Sequence, residues 1–283
     1  MDTLLINHDR LHLSLGDGQK FIQVGTAGTG ICYTLKAPTY EVEQQLVGGE
    51  QLKFMGKKWE RRLLNGGTEI GLQYGFTGRP HLALTVWLRY FPDSTFIRYR
   101  YGVSASKPVT LTKKSGEDAI LYTGFSKEMD QPTITEIQLS QFESVIHSFS
   151  PNFEERDIHE LMESCRYPGP ITLVENSNHC CMMAYEHGAE YPDSYLDFNT
   201  SYHNDMLHIA VIAVKGNYYT EQVVDEGHPL VSPWFHFAMN GGDKQGILKE
   251  YRKFILQYIS ESQESRKPYI FYNTWNYQER NHY

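Results

Sequence analysis

Alternation between apolar and polar side chains constrains the fold of this chain more than any other feature. Leucine or valine occupies every second position of the segment 82–89, and apolar residues alternate with arginine in 96–103. The two segments are separated by Pro92, Asp93 and Ser94, which favour a tight turn. Two-residue periodicity on both sides of such a turn predicts a β-hairpin with one buried face.

Four further segments have the composition of strands, and some of them are apolar throughout. They are 119–125, 133–139, 171–174 and 207–214. Continuous apolar runs are expected for strands that are covered on both faces of a layered structure. An aromatic content of 13% also favours strands over helices. We therefore predict a mostly β protein whose first domain, residues 1–240, is a large antiparallel β-sandwich.

The residues after 240 change to a helical pattern. Apolar side chains recur at helical spacing between Ile247 and Ile259, and Asp243 is placed to cap the first turn. The polar run 260–267 then ends the periodicity. This pattern predicts a linker helix within residues 241–266.

The last segment, residues 267–283, has the sequence of a buried parallel strand. Pro268 opens an apolar run over 269–272. A parallel strand needs a crossover of about a dozen or more residues before its neighbour, and the sequence stops at Tyr283. We interpret this segment as the first strand of a second domain, within which the sequence ends. An alternative, in which the strand pairs with an edge of the sandwich, stays open.

A formal net charge of −8, without any block of lysine or arginine, limits the partners of the chain. Nucleic acids and anionic membranes both require a basic surface, so neither is an expected partner. No stretch approaches the roughly 20 apolar residues that span a bilayer, and the N-terminus does not have the pattern of a signal peptide. The 4 cysteines have no framework spacing, which indicates reduced thiols and a cytoplasmic location.

Several short motifs resemble functional sites but have simpler structural explanations. The glycine-rich run 25–30 is not followed by the helix that a phosphate cradle needs, so it predicts a turn. His8 with His12, and the run 179–181, do not have the spacing of zinc ligands. The acidic segment 154–165 has helical spacing and predicts a solvated surface helix or loop. The sequence therefore predicts no metal and no cofactor.

Trp275 is the strongest candidate for contact with a ligand. It directly follows the apolar run of the last segment and lies between Asn273 and Asn276, with Glu279 shortly after. The active sites of α/β barrels lie at the carboxyl ends of the strands. An aromatic face beside amide and carboxylate groups suits a sugar, which offers a ring to stack and hydroxyls to bond. We therefore predict Trp275, Asn273 and Glu279 as substrate-binding residues.

The segment 267–279 resembles the first barrel strand of glycoside hydrolase family 36, the α-galactosidase or melibiase type. Members have a proline, an apolar run, an asparagine, a small residue and a tryptophan at this place, as in the run that ends at Trp275. Residues 232–238 resemble the passage into the barrel of that family. Residues 90–103 resemble part of its N-terminal β-supersandwich. The likeness extends loosely over the whole chain and is specific in about its last twenty residues.

The resemblance implies a β-supersandwich joined to a (β/α)8 barrel that hydrolyses terminal α-galactosides with retention. Such chemistry uses one aspartate as nucleophile and a second as acid/base. The family carries both in motifs of later strands that do not occur in this sequence, so no catalytic residue is expected here. Trp275 corresponds to the aromatic residue near the sugar pocket, and Asn273 to the amide two places before it. Asn276 stands where the family has glutamate, and Glu279 is the carboxylate that could replace it.

We therefore expect the N-terminal part of an α-galactosidase-like glycoside hydrolase, non-catalytic in itself. Its expected partners are a galactoside-like carbohydrate, bound through the barrel, and further copies of the chain in a homo-oligomer. The alternative from a different class is a stand-alone carbohydrate-binding or oligomerisation module. Trp59 could lie on a loop that reaches an active site, although an ordinary surface tryptophan is the simpler interpretation.

Overall fold

The computed structural model describes residues 5–8, 10–26, 30–143, 148–158, 165–186, 195–214 and 218–260. The strands of the first half are β1 (Leu5–His8), β2 (Leu11–Leu15), β3 (Ile22–Gly25), β4 (Cys32–Leu35), β5 (Thr39–Val42), β6 (Gln45–Gly48), β7 (Leu52–Arg62), β8 (Thr68–Phe76), β9 (Arg79–Tyr90), β10 (Ile97–Ala105), β11 (Val109–Thr110), β12 (Leu121–Glu128) and β13 (Thr133–Glu143). Those of the second half are β14 (Ser148–Ile158), β15 (Cys165–Tyr167), β16 (Ile171–Glu175), β17 (Cys180–Tyr185), β18 (Leu196–His203), β19 (Met206–Ala213), β20 (Val223–Val224), β21 (Leu230–Val231) and β22 (Phe235–Asn240).

Most of these strands belong to two large antiparallel sheets. The first sheet has the order β1-β2-β3-β4-β12-β19-β18-β15, and the second has the order β14-β13-β16-β17-β22-β10-β9-β8-β7, with β21 beside β10. Two small two-stranded sheets, β5-β6 and β11-β20, contain the remaining strands. Single turns of 3₁₀ helix occur at Gly18–Lys20, Gly49–Gln51 and Glu117–Ala119. The predicted mostly β, antiparallel sandwich is confirmed.

The principal core lies between the two sheets and is rich in aromatic rings. The ring of Tyr33, on β4, lies 5.1 Å from that of Phe125 on β12 and 5.4 Å from that of Phe237 on β22. All three side chains are fully buried. Rings at these separations add to the burial of apolar area that stabilises a sandwich core.

The predicted hairpin is confirmed as β9 and β10. Leu88 lies opposite Tyr99, and Val86 lies opposite Tyr101. These four side chains are completely buried in the core between the sheets. Because side chains alternate between the two faces of a strand, Trp87, Arg89, Arg98 and Arg100 of the hairpin lie on the outer face of the second sheet.

β17 is the strand that most clearly shows cover on both faces. All six of its residues are buried. Cys181 belongs to the core between the sheets, whereas Cys180 belongs to a second core on the outer face. The two adjacent cysteines therefore point in opposite directions, as their position in a strand predicts, and all four cysteines of the chain are free.

Helix α1 (Lys244–Phe254) covers the second core and continues as a π-helical turn, Ile255–Ile259. The Asp243 side chain caps its first turn by accepting a hydrogen bond of 2.8 Å from the Gly246 N–H, as predicted. The ring of Phe254 lies 5.1 Å from that of Phe96 and 5.4 Å from that of Phe91. The helix is thus packed on the sheet, and its role as a linker stays a prediction.

One expectation for secondary structure is wrong, and another falls outside the described residues. The segment 154–165 was predicted as a surface helix or loop, but residues 154–158 belong to strand β14. This strand pairs with β13 so that Ile158 lies opposite Ile134. β14 is at the edge of the second sheet, and charged residues are common on edge strands because they discourage further pairing. The predicted barrel strand, 267–283, lies outside the described residues.

The β7 edge at the other side of the same sheet is irregular. Its pairing with β8 shifts register between Phe54 and Gly56 and again between Lys57 and Trp59. Such β-bulges increase the local twist of a strand.

Within the described ranges, no helix is long and apolar enough to cross a membrane.

Substituting Phe254 tests how much the sandwich depends on α1. Phe254→Ala removes a ring that is 1% exposed, so we expect the free energy of unfolding to fall by about 3–5 kcal/mol. The matched control is Leu256→Ala, which truncates a side chain that is 49% exposed and should change the value by about 0.5 kcal/mol or less. Urea unfolding followed by circular dichroism measures both. Equal small effects would mean that the helix does not stabilise the sandwich.

Candidate functional site

The outer face of the second sheet changes its chemical character where α1 stops covering it. Under the helix the face is apolar, and beyond it, on β10, β9, β8 and β7, it consists of indole rings and ion pairs. We call this second part the tryptophan–arginine face. Its members are Trp59, Arg61, Glu69, Trp87, Arg89, Arg98, Arg100, Glu186, Trp234 and His236.

A row of ionisable residues crosses five neighbouring strands on this face. Arg61 lies opposite Glu69, Glu69 opposite Arg89, Arg89 opposite Arg98, and Arg98 opposite His236. The strand register alone therefore places these side chains next to one another, because directly opposed residues on one face are neighbours.

Glu69 is held between two arginines in this row. It accepts hydrogen bonds of 2.7 Å from Arg89 Nε and 2.8 Å from Arg61 Nε, and it is 1% exposed. Burial alone would raise the pKa of Glu69, but the hydrogen bonds and charges of the two arginines lower it below its ordinary value. Glu69 is therefore ionised at neutral pH and already paired.

Glu186, which directly follows β17, is bound in the same way on the other side of the row. Arg98 donates to it from Nε at 2.6 Å and from Nη2 at 2.9 Å, and His236 Nε2 lies 2.8 Å from it. Burial would raise the pKa of Glu186, yet the bonds from His236 and Arg98 lower it to about 2. This carboxylate is therefore ionised at neutral pH, and it too is already occupied.

His236 connects this ion cluster to α1. Burial lowers its pKa in spite of the neighbouring Glu186, so the ring is neutral at neutral pH. A neutral ring with Nε2–H directed at Glu186 leaves Nδ1 to accept from the Tyr251 hydroxyl of α1, which lies 3.1 Å away. Burial raises the pKa of Tyr251, so that hydroxyl keeps its proton.

A second row carries the aromatic rings. Trp59 lies opposite Gly71, Gly71 opposite Trp87, and Trp87 opposite Arg100. The Trp59 indole lies directly on the glycine, because a Cβ atom at position 71 would be 2.3 Å from ring atoms. The two indole rings are 6.5 Å apart, and both are partly exposed.

Trp234, just before β22, brings three arginines together. Its ring centroid lies 4.3 Å from Cζ of Arg98, 4.5 Å from Cζ of Arg89 and 4.5 Å from Cζ of Arg100. Cation–π contacts of this kind hold guanidinium groups in fixed planes without using their hydrogen-bond donors. The face is thus both rigid and rich in positive charge.

This arrangement suits binding better than acid–base catalysis. A glycosidase needs one carboxyl group whose pKa is raised so that it can donate a proton. Among the described residues, every carboxyl group with a shifted pKa, that is Glu41, Glu69, Glu186 and Asp225, is shifted downward. In the described part of the chain, no three histidine, cysteine, aspartate or glutamate residues are placed to hold a metal ion.

The residues predicted from the sequence fall into two groups. Trp275, Asn273 and Glu279 lie outside the described residues, so their predicted contact with a sugar stays a prediction. Trp59 is described, and it lies within strand β7 and not on a loop. Its side chain packs against Gly71 of β8.

The structural explanations of the short motifs agree with the fold. Within the run 25–30, Gly25 ends β3, and residues 27–29 lie outside the described residues, so the turn stays a prediction. His8 and His12 lie on the paired strands β1 and β2. The His179 ring bonds to the Tyr33 hydroxyl at 2.7 Å, which places it at the core.

Sequence reasoning missed the tryptophan–arginine face, although part of its signal was present. The alternation that identified the β9–β10 hairpin also puts Trp87, Arg89, Arg98 and Arg100 on one face. Trp234, Glu186 and His236 join them through β17 and β22, which lie far away in the sequence, so no local pattern indicates their contact.

Replacing Glu186 tests the ion cluster through its pH dependence. Glu186→Gln should lower the free energy of unfolding by about 2 kcal/mol at neutral pH, because charge-assisted bonds from Arg98 and His236 are lost. A carboxyl group with a lowered pKa contributes stability above its unfolded value, near 4.5, and loses it as the pH falls toward about 2. The difference from wild type should therefore shrink on acidification, as measured by urea titrations at neutral pH and at about pH 3.

The control for that experiment is Glu128→Gln, at an exposed position on β12. It should leave stability unchanged at both pH values. A Glu186→Gln difference that stays constant with pH would contradict the ionised, paired state of Glu186.

Two glycines of β8 provide a matched pair for testing the packing of Trp59. In Gly71→Ala the new methyl group would overlap the indole, so we expect a loss of about 1–3 kcal/mol and a red shift of tryptophan fluorescence as the ring moves outward. In Gly75→Ala the nearest atoms belong to Met55 at 3.7 Å, an ordinary contact, so neither change should occur. Identical spectra for the two variants would contradict the position of Trp59.

Comparison with known proteins finds similarity in structure and not in sequence. No protein-family model and no curated protein sequence matches the chain. Among solved structures, a GH36 α-galactosidase from Geobacillus stearothermophilus matches with a TM-score of 0.61 and 7% identity over 90% of this chain. An α-galactosidase from Lactobacillus brevis gives 0.60 and 9% over 90%, and the galactosidase domain of an α-galactosidase–sucrose kinase gives 0.63 and 6% over 94%.

This chain spans less than half the length of each of these proteins, with coverage of 43%, 42% and 44% of them respectively. At identities of 6–9%, the likeness concerns the fold. The two antiparallel sheets and the helix that follows them therefore have the fold of a part of the glycoside hydrolase family 36 α-galactosidases.

Proposed function

We propose that this chain is the N-terminal β-supersandwich of an α-galactosidase-like glycoside hydrolase and works together with a catalytic (β/α)8 barrel. The observation that carries the proposal is the fold itself, which matches about nine-tenths of this chain to a part of α-galactosidases. The substrates of the whole enzyme would be terminal α-galactosides, hydrolysed with retention. The two carboxylates of the tryptophan–arginine face, Glu69 and Glu186, are ionised and paired, which agrees with a supporting role for this part of the enzyme.

The substrate contacts of the proposal lie after α1. Residues 267–283 would form the first barrel strand, with Trp275 at its carboxyl end to stack on the sugar. Asn273 and Glu279 would bond its hydroxyls. The support for this assignment is the family pattern of proline, apolar run, asparagine, small residue and tryptophan in 268–275.

Assembly and location are further parts of the proposal. We propose a homo-oligomer in the cytoplasm. The four free cysteines support a reducing compartment, because two of them are fully buried on opposite faces of one strand and cannot reach each other.

A second candidate function is a carbohydrate-binding module without a barrel of its own. The tryptophan–arginine face favours it, since three partly exposed indole rings lie beside fixed polar groups. Flat aromatic rings beside hydrogen-bonding groups are what a pyranose ring needs on a binding surface.

Reading the coding DNA beyond the codon for Tyr283 separates the two candidates. If the chain is part of a glycoside hydrolase, we expect the reading frame to continue for several hundred codons. The added sequence should contain aspartates at the ends of the barrel strands. An immediate stop codon would overturn it and leave the binding module as the leading candidate.

An activity assay gives an independent prediction. The purified 283-residue chain should not hydrolyse an aryl α-galactoside, because its described carboxyl groups provide no general acid. The longer product of the frame, assayed under the same conditions, is the positive control. Turnover above the blank by the purified chain alone would contradict the non-catalytic assignment.

A further inference from the structure

Arg100 is the arginine of the tryptophan–arginine face whose Nε atom bonds to no carboxylate, whereas Nε of Arg61, Arg89 and Arg98 does. Its Nε atom is buried and has no hydrogen-bond partner. Each carboxylate of the face is already bound by other groups, Glu69 by Arg61 and Arg89, and Glu186 by Arg98 and His236. Buried donors without a partner are rare in folded proteins.

The position of Arg100 is fixed although its Nε atom has no hydrogen-bond partner. Its Cζ lies 5.0 Å from the centroid of the Trp87 ring and 4.5 Å from that of the Trp234 ring. Two indole rings therefore hold one guanidinium group in place. Burial lowers the pKa of Arg100, and the positive charges of Arg89 and Arg98 add to this effect, whereas the charges of Glu69 and Glu186 oppose it.

These conditions select an anion with two acceptor oxygens in one plane. A guanidinium group presents parallel N–H donors that match a carboxylate, and its bonds to a carboxylate are stronger than those to neutral acceptors. The arginines of the face outnumber its carboxylates, so an anionic ligand would also relieve the repulsion among Arg89, Arg98 and Arg100.

The rings beside Arg100 indicate what carries the carboxylate. Trp87 lies opposite Arg100 in the strand register, and Trp59 continues the same row 6.5 Å farther along. Both indole rings are partly exposed. A pyranose ring with a carboxylate would place its acid group on the arginine and its apolar ring face along the row of indoles.

We propose that the tryptophan–arginine face binds an acidic saccharide of the uronate class, with the carboxylate on Arg100 and the sugar ring against Trp87. This inference rests on the carbohydrate-related function proposed above and names the ligand class of the face. It does not depend on a barrel, so the reading frame and the activity assay test the enzyme proposal separately.

Isothermal titration of the 283-residue chain with galacturonate, its methyl ester and galactose tests the inference. The three ligands share the pyranose ring, and only galacturonate carries a charge. We expect galacturonate to bind at least about tenfold more tightly than the ester and galactose, because a charge-assisted pair is lost with the ester. Weakening of galacturonate binding by added salt should accompany this difference.

Variants of Arg100 identify the group that recognises the carboxylate. Arg100→Gln should weaken galacturonate binding about tenfold or more and leave the weak binding of galactose unchanged. Arg100→Lys keeps the charge without the planar fork and should give an intermediate affinity. Arg62→Gln is the matched control, since it removes an exposed arginine of the same sheet that lies outside the face. Tryptophan fluorescence of each free variant shows whether the face keeps its packing.

Three results would overturn the inference. The first is no heat from galacturonate at concentrations that would saturate a millimolar site. The second is equal affinity for galacturonate and its methyl ester. The third is tighter binding of a glutamate-rich peptide than of galacturonate, which would mean that the face receives a protein partner instead of a sugar.

Discussion

β17, near the middle of the second sheet, has no polar face, and its need for cover on both sides organises the rest of the structure. β17 is buried at every position, so one side requires the first sheet and the other requires α1. Aromatic rings fill both interfaces, with Tyr33 and Phe237 between the sheets and Phe96 and Phe254 under the helix. The helix is therefore a structural layer of the sandwich, whatever follows it along the chain.

The boundary between the covered and uncovered parts of the sheet is a single hydrogen-bonded chain. Tyr251 of α1 bonds to His236, His236 to Glu186, and Glu186 to Arg98. A buried network of this kind is costly when one of its hydrogen bonds is missing. The network therefore fixes the position of α1 relative to the outer face of β10.

The sequence predicts the fold well where periodicity is local, and it fails where contacts are distant. Alternation in 82–89 and 96–103 is enough to identify β9 and β10, and helical spacing is enough to identify α1. The acidic residues of β14 were predicted as a surface helix or loop. Charged residues are common on edge strands, and this segment does not show the alternation that identifies β9 and β10. The candidate face could not be assembled beforehand, since Trp234 and Glu186 reach Arg98 only through the pairing of β17, β22 and β10.

The bulged edge at β7 has a consequence for assembly. Lys57, Lys58, Arg61 and Arg62 are exposed along it, and two register shifts twist its backbone out of line. An edge with this charge and shape is a poor template for a strand from another copy, because like charges would meet and the ladder would be interrupted. The β7 edge thus discourages growth of the second sheet from one molecule into the next. Self-association through the broad face of a sheet would avoid this edge.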